Sequence, residues 1–376
     1  MEKESQLENL NLLYSQLLQQ SAIPAPSGNG LSFIKKKVKG HIYWYLQVNI
    51  GNRQTQRYIG PDSPETQDKI ELEKKLWKEA QPDIQKRKQL VAMLQAGGVW
   101  FVSHNEARVF ELMERLGFFI VGGVLLGTYA FNLYQNMLNV RWPIRTANTP
   151  NEMDKKRELH HLKMGISNQE VNLKEAVFHS GYGFFEVRTF KTKETLTTYR
   201  FLAQEIQVEI LTHQTEANLN QPLYLKSLNT FATPVKYLDF LLDEIQPAVM
   251  VARSGIRVNV PSPGRYALYQ LVVSQQQDAA LPLKANNALE QAEQLLSLLI
   301  EKKTETLLSA FNAAKARPDN FYSQMLRGIQ HLPEGLQHKL RLNFFQNELN
   351  RTELNRTEQN RTEQNKTEQN NVIFLG

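Results

Sequence analysis

The stretch from Gly122 to Tyr134, GGVLLGTYAFNLY, constrains the fold more than any other part of the chain. An apolar run ends at Gly127-Thr128, and an amphipathic segment begins at once. Residues 118–126 read as a buried strand and 128–137 as a helix with apolar positions three and four apart. Glycine at such a junction opens backbone conformations that other residues resist. It either turns a corner or lets a phosphate approach bare backbone, with the helix N-terminus adding a favourable dipole. The residues by themselves allow both.

The surroundings of this junction mix strands and helices. SHNEARVFELMERLGF predicts a helix capped by Ser103, with Glu106 three residues on, and closed at Gly117. GFFEVRTF and IQVEILT read as further strands, so residues 99–215 predict an α/β or α+β core. Upstream, Leu7, Leu10, Leu13, Tyr14 and Leu17 form one apolar helical stripe, and AIPAPSGNG (22–30) reads as a linker. The segment 33–98 predicts about three short antiparallel strands, then a charged helix broken near Pro82. Beyond residue 216 the pattern turns helical to about 340, with one strand near PAVMVARSGIRVNVP. The end, 341–376, is a pentad repeat (RTELN RTEQN RTEQN KTEQN) with no apolar stripe, and no chemistry is assigned to it.

Composition narrows the chemistry. Zero cysteines among 376 residues exclude disulfides, thiolate metal sites and a cysteine nucleophile. GxxxxGK[ST] and GxGxxG are both missing, and the His160-His161 pair reads as exposed imidazoles. No window approaches a membrane span, and the N-terminus lacks a signal pattern, so a cytoplasmic protein without membrane contact is expected. The net charge of +6 favours a polyanionic partner. Much of it crowds the small sheet, where Lys36, Lys39 and Arg57 stand with Tyr43 and Tyr45. Cations beside aromatic faces suit RNA or DNA. The same residues also suit a small sheet with an aromatic core and solvated lysine edges.

Acids complete the picture. Glu152 and Asp154, two apart, point one way if their segment is a strand, and Glu209 lies between Val208 and Ile210. Three such carboxylates make a cup for a divalent cation that clamps a triphosphate. Arg141 and Arg145 can contact phosphates with paired hydrogen bonds, or pack over Trp142 and surface acids.

At GVLLGTYAFNLYQNMLNVRW the chain resembles a bacterial family of nucleotidyltransferase-fold proteins, related in fold to DNA polymerase β. The resemblance runs on through GFFEVRTF, VEILTH, LDFLLDEIQPAVMV and GIRVNVPSPGRYALYQLVVSQ. It implies a mixed sheet flanked by helices, followed by a helical domain. It also implies magnesium- or manganese-dependent transfer of a nucleoside monophosphate from a triphosphate such as ATP. Gly127 and Thr128 would seat the triphosphate, Glu152 and Asp154 would hold metal, and Glu209 would complete the set. Departures are visible. Glu209 stands where aspartate is usual, and Asn287 and Ala288 stand where a Lys-Asp pair is expected. If the acidic pair belongs after Thr146 instead, Asn148 and Pro150 occupy it. A catalytically weakened relative that binds nucleic acid or a partner protein is the alternative reading.

Overall fold

A computed structural model of the chain describes residues 2–22, 28, 31–50, 53–115, 117–142, 160–166, 198–201, 206–215, 221–225, 230–275 and 282–344. The expected GFFEVRTF strand and the pentad repeat fall outside the described residues. The chain divides into two units, Met1–Ser262 and Pro263–Gly376.

In the first unit the N-terminal stripe forms helix α1 (Glu2–Gln20) and buries Leu10, Tyr14 and Leu17. These join a core with Leu90, Val91 and Leu94 of helix α2 (Pro64–Ala96) and with Val249 and Val251. The Tyr14 hydroxyl donates to the Val249 carbonyl and accepts from its N–H, both at 3.2 Å. Burial pushes that hydroxyl's pKa above the ordinary tyrosine value.

Helix α2 corrects the sequence reading, because it runs unbroken for 33 residues through Pro82. A proline inside a helix costs about 3 kcal/mol through the lost hydrogen bond and the ring clash. Buried residues on both sides of it, from Ile70 to Ile84, Leu90 and Leu94, offset that cost by packing. Ser63 caps the start, accepting from the Thr66 N–H at 3.3 Å.

Strands β1 (Leu31–Val38), β2 (His41–Ile50) and β3 (Arg53–Pro61) form an antiparallel sheet in that order, as the alternation predicts. One face packs on α2, where Phe33 stacks on Trp77 at 5.1 Å. On the same side Trp44 Nε1 and Lys35 donate to the Asp62 carboxylate at 2.8 and 3.0 Å. Bonds from Gln67 and Lys35 hold Asp62 below its usual pKa.

The mixed sheet contains β4 (Val124–Leu126), β5 (His160–Gly165), β6 (Thr198–Phe201), β7 (Ile206–His213), β8 (Leu223–Leu225) and β9 (Thr230–Val235). Its order is β4-β5-β7-β9-β8, with β6 also paired to β7. β5, β7 and β9 run parallel to one another, and β4 is antiparallel to β5. Two sequence expectations change here. The strand expected over 118–126 is only three residues long, because Gly117 and Gly122 (φ of +73° and +85°) wind the preceding residues into turns. Strands also occupy 223–225 and 230–235, where the sequence reads as helix. Helix α5 (Leu238–Leu242) leads to a hairpin of β10 (Ile245–Met250) and β11 (Ile256–Pro261), two strands rather than one.

The second unit is helical: α6 (Pro263–Val273), α7 (Pro282–Lys302), α8 (Thr304–Lys315), α9 (Phe321–Ile329) and α10 (Glu334–Phe344). Tyr266 and Gln270 of α6 both donate to Gln291 Oε1 of α7, at 2.8 and 3.1 Å. Among the described residues no helix is long and apolar enough to cross a membrane.

Glu73 of α2 is 2% exposed and accepts from Trp77 Nε1 at 2.9 Å. Burial raises its carboxyl pKa above the usual value, and the Trp77 bond offsets only part of the rise. The folded chain therefore holds this proton more tightly than the unfolded one. Stability falls as pH rises from the ordinary glutamate range through the raised value. Glu73→Gln keeps an acceptor for Trp77, so it is expected to remove that dependence and to be at least as stable at neutral pH. Urea midpoints measured upward in pH from the ordinary glutamate range check this. A variant clearly weaker at neutral pH would contradict it.

Candidate functional site

The junction read from the sequence is a left-handed turn. Leu126 ends β4 with its side chain 4% exposed, and Gly127, at φ +67°, opens helix α4 (Gly127–Met137). A Cβ placed on Gly127 would come no closer than 3.7 Å to Lys163 Cδ, an ordinary contact. The backbone angle, not crowding, is what asks for glycine. At the N-cap, Leu126 offers no side-chain bond, the first turn carries no acid, and Thr128 is exposed. The start of α4 thus combines the positive end of the helix dipole with a hydroxyl at the surface.

The helix is fixed along its length. Tyr134 donates to the Pro261 carbonyl at 2.8 Å, and Asn136 exchanges two hydrogen bonds with the Trp100 backbone at 2.8 and 3.2 Å. The capping box predicted for helix α3 (His104–Arg115) is present. The Ser103 N–H donates to Glu106 Oε2 at 2.6 Å, and the Glu106 N–H donates to Ser103 Oγ at 3.3 Å. The other oxygen of Glu106 accepts from Tyr129 in the first turn of α4, tying the two helix starts together. Burial, followed by that bond and the Glu106 charge, pushes the Tyr129 hydroxyl above its usual pKa.

Strand β5 brings a residue that sequence reading missed. Leu126 pairs with Lys163 across β4 and β5, and Lys163 pairs with Glu209 across β5 and β7. Residues in register on neighbouring strands share a face. Lys163 therefore lies between the Gly127 turn and Glu209, and both charged side chains are half-buried. The opposite face is core, where Met164, Val208 and Ile210 are each at most 3% exposed. The signal in the sequence was the alternation of LKMG, which gains meaning only once its partner strands are known.

The other sequence candidates are distributed unevenly. Arg141 follows the C-terminal end of α4, roughly 16 Å of helix from Gly127. Its Nη1 donates to the Val140 carbonyl at 3.2 Å. Trp142 does not carry that arginine but stacks on Phe131 at 5.0 Å and donates Nε1 to the Phe131 carbonyl. Arg145, Glu152 and Asp154 lie outside the described residues. Asn287 and Ala288 fall in the early turns of α7, with Ala288 buried. Lys36, Lys39, Tyr43 and Tyr45 belong to the small sheet, as does Arg57, which pairs with the buried Leu46 on the face toward α2.

Among the described residues no three His, Asp or Glu side chains assemble to hold a metal ion. Glu209 has a lysine for its register neighbour, and an ammonium beside a carboxylate competes with a cation. The described donors alone do not fit magnesium. Near the turn, the groups suited to phosphate charge are the α4 N-terminus, Thr128 and Lys163.

A scan of protein families matches the family described as Nucleotidyltransferase over residues 104–315, more than half of the chain. The chain belongs to this nucleotidyltransferase family. The match spans α3, the Gly127 turn, the mixed sheet and helices α6 to α8. No curated protein and no solved structure matches it. Within a nucleotidyltransferase, the glycine turn after β4, beside Lys163 of β5, becomes the part of the fold to probe. Gly127→Ala is expected to destabilise the protein by about 1–2 kcal/mol, because the methyl group meets the backbone cost of a left-handed residue but no clash. Urea unfolding of the variant reads this, and an unchanged midpoint would show that the turn relaxes to a negative φ.

Proposed function

We propose that the chain binds a nucleoside triphosphate at Gly127-Thr128 and transfers its nucleoside monophosphate to an acceptor hydroxyl. RNA, a protein side chain and a small molecule are the acceptor classes. The observation that carries this reading is the left-handed turn opening α4 directly beside Lys163. In the reaction, the acceptor oxygen attacks the α-phosphorus, the bond to the bridging oxygen breaks, and pyrophosphate leaves. Lys163 and the helix N-terminus offset the phosphate charge as it shifts toward the leaving group. Glu209 takes the acceptor's proton. Magnesium or manganese would add further charge, and Glu152 and Asp154 are the residues proposed to hold it.

The pairing of Lys163 with Glu209 favours a second reading as well. A lysine in this position supplies fixed positive charge without metal, which suits a relative that binds nucleotide and turns it over slowly or not at all. Such a protein would act as a regulator through nucleic acid or a partner.

Calorimetry with ATP, CTP, GTP and UTP, with and without magnesium, separates the two, followed by assay of pyrophosphate release. Lys163→Ala is expected to weaken triphosphate binding by tenfold or more, since charge-assisted bonds contribute roughly 1.5–3 kcal/mol. Glu209→Gln is expected to keep binding and to slow release by about 10²-fold or more. Metal-dependent binding that disappears in Glu152→Ala/Asp154→Ala supports the transferase. Metal-indifferent binding without pyrophosphate supports the second reading, and the lack of any nucleotide binding overturns the transferase and leaves a relative that acts through nucleic acid or a partner.

A further inference from the structure

The small sheet has two faces with different work. Phe33, Trp44 and Leu46 share the face toward α2, where Phe33 meets Trp77 and Lys74 lies over the Phe33 and Trp44 rings. That face supplies the packing. The other face carries Lys36, Tyr43 and Tyr45, with Tyr58 paired across from Tyr45. The three tyrosines form one cluster, Tyr58 meeting Tyr43 at 5.8 Å and Tyr45 at 5.7 Å between ring centres. Lys36 Nζ stands 5.2 Å from the centre of the Tyr45 ring, and His41 flanks Tyr43. Tyr58 is 51% exposed although its hydrophobic ring would gain from burial.

Charge identifies what this face would meet. Residues 31–61 hold six of the chain's 44 Lys and Arg and none of its 38 Asp and Glu. The remainder of the chain is balanced at 38 of each, so the whole net charge of +6 resides in this sheet. Lys39 projects the same charge at the β1–β2 turn, where Lys39 and Gly40 both take positive φ. Lys35, Lys37 and Arg57 lie on the face toward α2, with Lys35 paired to Asp62, so the open face itself offers Lys36 and Lys39 beside the tyrosines, a match for a polyanion that also presents flat rings. Bases in a duplex are stacked on one another and cannot reach the tyrosines, so the strand must be single. Beside the Tyr45–Tyr58 pair, Gln56 Nε2 donates to Gln47 Oε1 at 3.0 Å on the same exposed face. Paired amides at that position can exchange hydrogen bonds with a ribose 2′-hydroxyl.

We propose that the open face of the β1–β3 sheet, centred on Tyr43, Tyr45 and Tyr58 with Lys36 and Lys39, is a binding platform for single-stranded RNA. Bases stack on the tyrosines, and the lysines hold the phosphates. Arg57, on the opposite face, has no part in it. The proposal goes beyond nucleotidyl transfer and stands whether or not the Gly127 site turns over.

The test is fluorescence anisotropy on the full chain with a labelled single-stranded RNA of about 12 nucleotides, within the span small single-strand modules cover. The same sequence as single-stranded DNA and as an RNA duplex provides the comparison. RNA is expected to bind more tightly than either. Tyr58→Ala should weaken binding about tenfold, with Tyr58→Phe close to wild type. Lys36→Gln should lower the slope of log Kd against log salt by about 0.7, the value for one phosphate contact on a single strand. Lys74→Gln, which removes equal charge from the opposite face, should change neither. Equal binding of single-stranded DNA overturns the RNA assignment. Equal losses from Lys74→Gln and Lys36→Gln, or no RNA binding, overturn the platform and leave a protein partner or the chain itself as its cover. Should Tyr58→Ala fail to fold, photocrosslinking of wild type to thiouridine-containing RNA decides. An adduct within residues 36–58 supports the proposal, and adducts only elsewhere overturn it.

Discussion

At Gly127 the backbone passes through a left-handed angle, and the placement of everything near the candidate site follows from it. The three residues before it are buried in a strand, and those after it form a helix held by Tyr134, Asn136 and Tyr129. With both neighbours fixed, the turn has little room to relax. It therefore presents the helix N-terminus to the same side as the adjoining strand. The electrostatic character of that side comes from β5, which places Lys163 against the turn and Glu209 in register beyond it. The two charges are thus set side by side on one face of the sheet by strand register.

Features whose cause is local were visible in the sequence. The Ser103–Glu106 box depends on two side chains three residues apart, and Gly117 and Gly127 announce backbone angles that few other residues accept. The alternation of β1 to β3 likewise depends on neighbours along one strand. What failed was decided at a distance. Pro82 looks like a break until the residues after it, Leu90, Val91 and Leu94, join α1 in the core while Ile70 and Glu73 are buried before it. The run at 118–126 looks like one long strand because its residues are apolar, yet Phe118, Phe119 and Val121 are buried in turns ahead of the short β4, with Asn259 donating to the Phe119 and Gly123 carbonyls.

The site shows the same division. Gly127 and Thr128 carry their meaning within one short segment, and the family match over 104–315 includes them. Lys163 carries none alone, because a lysine on a strand is ordinary until β4 and β7 set what stands beside it. Arg141 shows the reverse. Near in sequence to the turn, it is set a helix length away by α4.

The continuity of α2 has a consequence of its own. Trp77 and Lys74 hold the small sheet near one part of the helix, while Leu90, Val91 and Leu94 are fixed in the core with α1. Between Trp77 and Leu90 the helix advances roughly 20 Å. An α-helix without a hinge is a ruler, so whatever the sheet grips is held at a set distance from that core. Adding or removing a single residue would shift this distance by about 1.5 Å and rotate the sheet by about 100° around the helix axis. The unbroken passage through Pro82 makes the spacing and the bearing of the sheet one quantity, counted in residues.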